Sequence, residues 1–397
     1  MSKLVDIKKQ KNIGLYVHIP FCKRKCEYCD FKSYAGKENL INDYIKWLKY
    51  EIKEVGEGNK LDYVNGLDYL AIVKTIYIGG GTPSVIDSKC ISQIIETIKA
   101  NYIIDSNVEI TIEVNPGTII KEKLIDYKNS GINRLSIGLQ ETHDNLLKEI
   151  GRIHIFKDFL DTYNLARDIG FDNINVDLML GLPNQSIMDL EESLDKIIEF
   201  KPEHISVYSL IIEEGTPFYD KLRNNKLNLP KDETEREMYW LVKRKLEEAE
   251  YIHYEISNFS KRGFESKHNL DCWNQEEYIG FGVAAHSYTN NVRYSNIDDI
   301  EKYIKNYEIG NETDNFVFHE KQNKESKMKE FMMLGLRKIQ GVKISDFKNK
   351  FGDNPIIIFR KELEKLVNEE LLEVDGNYIK LTNKGLDLAN LVWEEFV

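Results

Sequence analysis

Cys22, Cys26 and Cys29 fall within eight positions of "GLYVHIPFCKRKCEYCDF" (residues 14–31) and are three of the chain's five cysteines. Thiolates favour soft metals and iron–sulfur clusters. A [4Fe–4S] cube offers four irons for ligation, so three cysteines leave one iron open to another group. Two other readings fit three close thiols: a zinc site completed by a distant His or Cys, and a redox pair with a spare. The spacing Cys-x3-Cys-x2-Cys matches neither common zinc pattern well. Cys90 and Cys272 stand alone in the sequence. Cys90 is expected to pack as a buried, inert small hydrophobe.

Further chemistry-bearing residues come at the ends of strand-like runs. "YIGGGTPS" carries Gly79, Gly80 and Gly81, then Thr82. Consecutive glycines let a backbone approach a ligand closely and present its N–H and C=O groups, although a tight turn or helix cap also uses them. Glu113 lies near the strand end in "TIEV", Gln140 ends "SIGLQ", Arg152 follows in "EIGRIH", and Asp177 lies in "NVDLML". A carboxylate in apolar surroundings is unfavourable to bury unless paired, and an Arg can hold one in a fork. A structural ion pair is the alternative for each alone; together they are expected to converge on one cleft.

The elements that must position these residues alternate. "GLYVHI", "AIVKTIYIG", "NVEITIEV", "INRLSIGL", "DNINVDLML" and "HISVYSL" read as strands. Amphipathic stretches such as "NLINDYIKWLKYEIKEV", "CISQIIETIKA", "FKDFLDTYNLARDIG" and "MDLEESLDKIIEF" lie between them. Six strand–helix units predict an α/β fold, a partial, open parallel (βα)6 barrel of TIM type, with the cysteines in the loop after the first strand, where such barrels place their chemistry. A polar break at 213–236 precedes a long helix. The segment 254–288 is rich in Gly, Asn and aromatics without a clean period. From about 322 the pattern becomes helix, helix, helix, a hairpin at "DGN", and a last helix, which resembles a smaller winged-helix-like α+β module. The expected division is 1–250 for the barrel, 251–320 for a connecting segment and 321–397 for the C-terminal domain.

Bulk numbers narrow the partners. The 397 residues carry a formal net charge of −12, which disfavours nucleic acid or an anionic membrane surface as the main partner. The C-terminal stretch 331–397 holds ten Lys/Arg against eleven Asp/Glu, so a protein-contact or lid role suits it better than DNA binding. No run approaches the ~20 apolar residues of a membrane span. The charged start "MSKLVDIKKQKNIGLY" lacks the apolar core of a secretory signal. A cytoplasmic location is expected, and in that reducing compartment close cysteines are better metal ligands or redox thiols than a disulfide framework.

The Cys-x3-Cys-x2-Cys spacing, with Tyr28 beside Cys29, resembles the radical S-adenosylmethionine (SAM) superfamily. That resemblance implies one [4Fe–4S] cluster on Cys22, Cys26 and Cys29, whose fourth ligand is the amino and carboxylate end of SAM. The chain from "YVHIPFC" to the C-terminal module is similar to one branch, the anaerobic coproporphyrinogen III oxidase and the heme chaperone related to it (HemN and HemW). By matching motif, Tyr16, Gly80, Gly81, Thr82, Glu113, Gln140, Arg152 and Asp177 would line the SAM site, with Tyr28 at the aromatic position beside the third cysteine.

Within that branch the oxidase adds a fourth cysteine two residues past the third; here Phe31 stands there. The oxidase also has a long arm before the cluster, against 21 residues here. The chaperone carries a His-Asn-x-x-Tyr-Trp signature after "YEISNF". This sequence has "YEISNF" at 254–259 and "KHNLDCW" at 267–273, keeping His268, Asn269 and Trp273 with Cys272 in the tyrosine's place. The resemblance implies a heme carrier that delivers heme to an acceptor protein, with His268 and Trp273 as ligand and stacking candidates and Cys272 as an alternative thiolate ligand. The competing reading of this segment is packing at the barrel mouth; His286 in "GVAAHSY" is a further candidate for lining it, with a satisfied structural histidine the preferred reading. The alternative function is a radical enzyme: coproporphyrinogen III decarboxylation or another tetrapyrrole modification, in which a reduced cluster cleaves SAM to a 5′-deoxyadenosyl radical. A homodimer is compatible with either.

Overall fold

The computed structural model describes residues 10–58 and 70–397. Residues 1–9 of the charged N-terminal stretch lie outside the described residues. The chain forms two compact units, each assembled from separated stretches. One holds the residues up to Gly138 with Lys157–Asp172 and Glu276–Glu320; the other holds Leu139–Phe156, Asn173–Gln275 and Lys321–Val397.

The strands are β1 (Gln10–Ile19), β2 (Leu70–Gly80), β3 (Ile103–Val114), β4 (Arg134–Gln140), β5 (Ile174–Leu180), β6 (His204–Ser209), β7 (Ile252–Glu255), β8 (Asn258–Ser260), β9 (Tyr278–Phe281), β10 (His286–Thr289), β11 (Val292–Asn296) and β12 (Phe316–Lys321). In the first unit the order is β12-β11-β10-β9-β1-β2-β3-β4. The pairs β9–β1, β1–β2, β2–β3 and β3–β4 are parallel. In the second unit β5 runs parallel to β6, and β8 and β7 follow antiparallel. The six strand–helix repeats read from the sequence are present, and the fold is an open α/β one.

Strand alternation explains why chemistry sits on one face. Along β1, Leu15, Val17 and Ile19 are fully buried while Tyr16 and His18 point the other way. Parallel register carries that division across the sheet: Leu15 pairs with Ile76, Val17 with Ile78, and these with Ile110 and Ile112 of β3. Tyr77 thus falls opposite Tyr16 and Thr111, in line with Glu113 two residues on. The helix Ile41–Gly56 buries Tyr44, Ile45, Leu48, Ile52 and Val55, spaced as one helical face. The helix Ile187–Phe200 starts at a capping box between Ser186 and Asp189.

The aperiodic stretch 254–288 resolves into strands of three or four residues and one short helix, Lys267–Trp273. Elements this short show no alternation in sequence. Past residue 322, the helices Lys324–Gly335, Ile344–Phe351 and Arg360–Asn368 enclose Phe331, Phe347, Leu363, Val392 and Phe396. A small sheet of β13 (Val342–Lys343), β14 (Leu372–Val374) and β15 (Tyr378–Leu381) completes this winged-helix-like module in the order β13-β15-β14. Its hairpin turns where the Asp375 carboxylate accepts the N–H groups of Asn377 and Tyr378, at the "DGN" expected.

Candidate functional site

The cysteine loop is pinched at its base. The Cys22 N–H donates to the Tyr34 carbonyl at 2.9 Å, and the Tyr34 N–H donates to the Pro20 carbonyl at 2.7 Å. All three thiols therefore sit in one closed loop directly after β1. None of the five cysteines is in a disulfide; Cys22 is buried, and Cys26 and Cys29 are half-buried. Burial pushes the Cys29 thiol up to about 11, with the neighbouring thiols adding to the rise. A thiolate there requires a compensating positive charge, as a bound metal ion would supply. Cys90 is half-buried instead of fully buried, with its thiol pushed up by desolvation. It lies in the first turn of the helix Ser88–Asn101, on which no other cysteine lies.

Behind the loop stands His18, which the motif reading passed over. Its Nε2 lies 2.8 Å from the Lys32 carbonyl, which only accepts, so Nε2 carries the proton. Nδ1 is then the acceptor and the Tyr16 hydroxyl donates to it at 2.9 Å. Burial lowers the His18 pKa to about 4, so the ring is neutral. The Tyr16 ring stacks on Tyr77, whose hydroxyl donates to Glu113 Oε1 at 2.9 Å. The Gly80 N–H donates to Glu113 Oε2 at 3.1 Å. Burial, reinforced by the Glu113 charge, raises the Tyr16 pKa.

The glycine row fits this arrangement and nothing larger does. A Cβ on Gly79 would lie 2.9 Å from Glu113, one on Gly80 2.6 Å from the His18 ring, and one on Gly81 3.0 Å from Cys22 Sγ. Gly80 also has φ +116°, which L side chains rarely adopt. Thr82 sits 3.5 Å from Cys22 Sγ through Oγ1, which accepts from Asn115 Nδ2 at 2.9 Å. Asn115, the residue after β3 in "VNP", and Tyr77 were also missed; period-2 alternation back along β2 from Gly79 was the available signal for Tyr77.

In the second unit β4 ends at Gln140, in the left-handed region at φ 69°. Arg152 Nη2 donates to Gln140 Oε1, so these two expected site residues do meet. The next residue, Glu141, is fully buried and accepts from Thr142 N, His143 N, the His143 ring, Ser193 Oγ and Gln185 Nε2. Five donors on one carboxylate hold the turn that keeps Gln140 in its uncommon conformation. His154, two residues past Arg152, bonds to the Leu139 carbonyl, and burial lowers its pKa to about 3. Asp177 is half-buried on β5 and accepts from Asn175 Nδ2 at 2.7 Å.

The helix Lys267–Trp273 is capped by Ser266, whose hydroxyl accepts the Asn269 N–H. His268 is buried and Asn269, Cys272 and Trp273 are half-buried. The Arg337 guanidinium lies 4.5 Å from the Trp273 ring centroid and 4.5 Å from that of Trp393, a cation held between two indoles. Arg337 also faces the buried Glu255, whose pKa burial raises and whose charge the guanidinium offsets. One face of Trp273 is thus occupied by the protein itself. His286, in the first unit, is exposed and stacks on His319 at 5.4 Å.

Three thiols free of disulfides in one loop and a desolvated Cys29 fit a metal-cluster site. Residues 16–197 match the family described as the radical SAM superfamily, and residues 322–388 match the HemN C-terminal domain. The chain is 38% identical over 384 residues to a protein named heme chaperone HemW in Bacillus subtilis (strain 168), covering 96% of this chain and 98% of that one. It is 36% identical to the HemW of Lactococcus lactis subsp. lactis (strain IL1403), covering 98% of each. The solved structure of the Escherichia coli coproporphyrinogen III oxidase HemN has the same fold, with TM-score 0.82 and 21% identity over 98% of this chain and 90% of that one.

Proposed function

The chain belongs to the radical SAM superfamily, on its HemN and HemW branch, and from that membership we propose that it is a heme carrier: a cluster- and SAM-binding protein that binds heme and delivers it to an acceptor protein. The observation that carries the proposal is the 38% identity, across nearly the whole of both chains, to a protein named as a heme chaperone. Superfamily membership implies a [4Fe–4S] cluster and SAM. We assign the cluster to Cys22, Cys26 and Cys29. From the superfamily resemblance we assign SAM to Tyr16, Tyr28, Gly80, Gly81, Thr82, Glu113, Gln140, Arg152 and Asp177.

The first unit supplies a rationale. The Glu113 carboxylate, held by Tyr77 and the Gly80 N–H, is a counter-charge suited to an ammonium group. The chemistry such a cluster supplies when reduced is one-electron cleavage of SAM. Heme is assigned to the helix bearing His268, Asn269, Cys272 and Trp273, with His268 the leading ligand. We read residues 1–250 as the barrel module, 251–320 as the connecting segment with the heme motif, and 321–397 as the C-terminal module. We also read the protein as cytoplasmic; among the described residues no helix is long and apolar enough to cross a membrane.

A second reading is an oxygen-independent coproporphyrinogen III oxidase or another tetrapyrrole-modifying radical enzyme, favoured by the full set of SAM-site residues. Phe31 argues for the carrier: it is 64% exposed where the oxidase motif has its further cysteine. An anaerobic hemin titration of the cluster-loaded protein separates them. Saturable binding near one heme per chain, with a protein-ligated Soret band, is expected of the carrier. Absence of specific binding, with 5′-deoxyadenosine formed from SAM and coproporphyrinogen III under reductant, overturns it.

A further inference from the structure

A line of hydrogen bonds in the second unit joins Asp177 to the cap of the helix Lys267–Trp273, and it has one polarity throughout when the His204 ring is neutral. Asn175 Nδ2 donates to Asp177 Oδ1 at 2.7 Å, so Asn175 Oδ1 faces the other way. There it accepts from Ser206 Oγ at 3.1 Å and from His204 Nδ1 at 2.6 Å. A carbonyl oxygen only accepts, so His204 carries its proton on Nδ1. In the neutral ring Nε2 is then an acceptor, and the Tyr254 hydroxyl donates to it at 2.7 Å. The Tyr254 oxygen in turn accepts the Ser266 N–H at 3.2 Å. Ser266 is the residue whose side chain caps the helix carrying His268.

Every donor in the line points toward the Asp177 carboxylate. Asn175, His204, Ser206 and Ser266 are each at most 2% exposed, while Asp177 and Tyr254 are half-buried, so water does not compete for the bonds that meet at Asn175 Oδ1. Bonds chained in one direction polarise one another, and they do so more in a low-dielectric interior. The parts are also fixed by structure: Asn175 and His204 are directly paired across β5 and β6, and the His204 and Tyr254 rings pack edge to face at 5.6 Å.

We propose that Asn175, His204 and Tyr254 are positioning residues that couple occupancy at Asp177 to the setting of the His268 helix, so that SAM and heme change each other's affinity. The proposal rests on the assignment of Asp177 to SAM and of His268 to heme. A ligand that binds the Asp177 carboxylate draws on the acceptor that terminates the line, and the Ser266 N–H at the other end is the last bond before the helix cap. Coupling of this kind is reciprocal: SAM shifts the hemin affinity by the same factor that hemin shifts the SAM affinity.

The test is a pair of anaerobic titrations of the full-length, cluster-loaded protein, hemin with and without SAM and SAM with and without hemin. At least a fivefold reciprocal shift is expected in the unaltered protein. Tyr254→Phe keeps the ring against His204 and deletes the hydroxyl; it is expected to bring the shift below twofold while each ligand still binds alone. Tyr251→Phe removes a different buried hydroxyl of the same unit, one that donates to the Pro202 carbonyl, and is expected to leave the full shift. Coupling that survives Tyr254→Phe, or is lost equally in Tyr251→Phe, overturns the relay and leaves the ligand assignments standing. Both ligands binding the unaltered protein without any mutual shift also overturns it. Failure of the unaltered protein to bind SAM or hemin overturns the functional reading, and the relay with it.

Discussion

The cysteine loop and the helix Lys267–Trp273 were both singled out by short motifs, and the protein treats them differently. Around the loop, three glycines let protein atoms close up on the backbone: a Cβ on Gly79, Gly80 or Gly81 would strike Glu113, His18 or Cys22. Around the helix, the protein supplies partners of its own: Arg337 lies against Trp273, and Ser266 caps the first turn. Packing of the glycine row against Glu113, His18 and Cys22 sets the backbone beside the thiols. An aromatic already covered on one face argues for a structural part in the motif, with His268 left as the chemical one.

The largest effect expected from breaking this contrast lies at the thiols. Cys22→Ser, Cys26→Ser or Cys29→Ser should each abolish the cluster, read as iron content and the loss of its broad visible absorbance. Cys90→Ser and Cys272→Ser should retain full iron; loss in either would place the ligands elsewhere.

Next comes Gly80→Ala, which adds a carbon 2.6 Å from His18 at φ +116°. Overpacking of this kind costs about 1–3 kcal/mol, read as a lowered urea midpoint, together with weakened SAM binding by calorimetry. Unchanged SAM affinity would mean that the glycine row serves the backbone turn alone.

On the helix side, Trp273→Leu removes a cation–π contact and should lower stability by about 0.5–2 kcal/mol while changing the hemin Kd less than twofold. His268→Ala should raise that Kd severalfold. The reverse pattern would make Trp273 the heme contact and return His268 to packing.

The smallest effect is a pH dependence. His18 is held neutral, its pKa lowered by burial to about 4 from an unfolded value near 6.5. A lowered histidine pKa means that the unfolded chain binds the extra proton first. The stability tied to neutral His18 is therefore fully present above about pH 6.5 and is lost as pH falls through 4. His18→Asn should flatten the fall in urea midpoint between pH 6.5 and 4.5 relative to the unaltered protein. An identical slope would remove His18 from the acid response and leave it to His154 and His253, whose pKa values burial lowers to about 3 and about 4.

Much of the fold was legible because its signals are local. Leu15, Val17 and Ile19 alternate with Tyr16 and His18, and a period of two needs only six residues to show. The helix Lys121–Ser130 was not singled out, since its ten residues bury only Leu124 and Tyr127 and carry a weak apolar face. The strands between 278 and 296 stayed hidden because each is four or five residues long. At the site, spacing alone brought out the thiols and the glycines. The residues between them did not announce themselves: His18 matters because its two nitrogens reach Tyr16 and Lys32, and Tyr77 because register sets it across from Tyr16.

By itself the sequence determined the order of strands and helices, the one loop that holds three thiols, and the backbone freedom at Gly79, Gly80 and Gly81. Each is a property of neighbours in the chain. Tertiary structure alone decided that His18 is neutral, that Glu141 clamps the turn at Gln140, that Arg337 takes one face of Trp273, and that Asp177 is joined through Asn175, His204 and Tyr254 to Ser266. Protonation states and hydrogen-bond directions depend on burial and on the whole set of partners, and some of these, such as His204 with Asn175 and Tyr254 with His204, lie tens of residues apart, outside any short window of sequence.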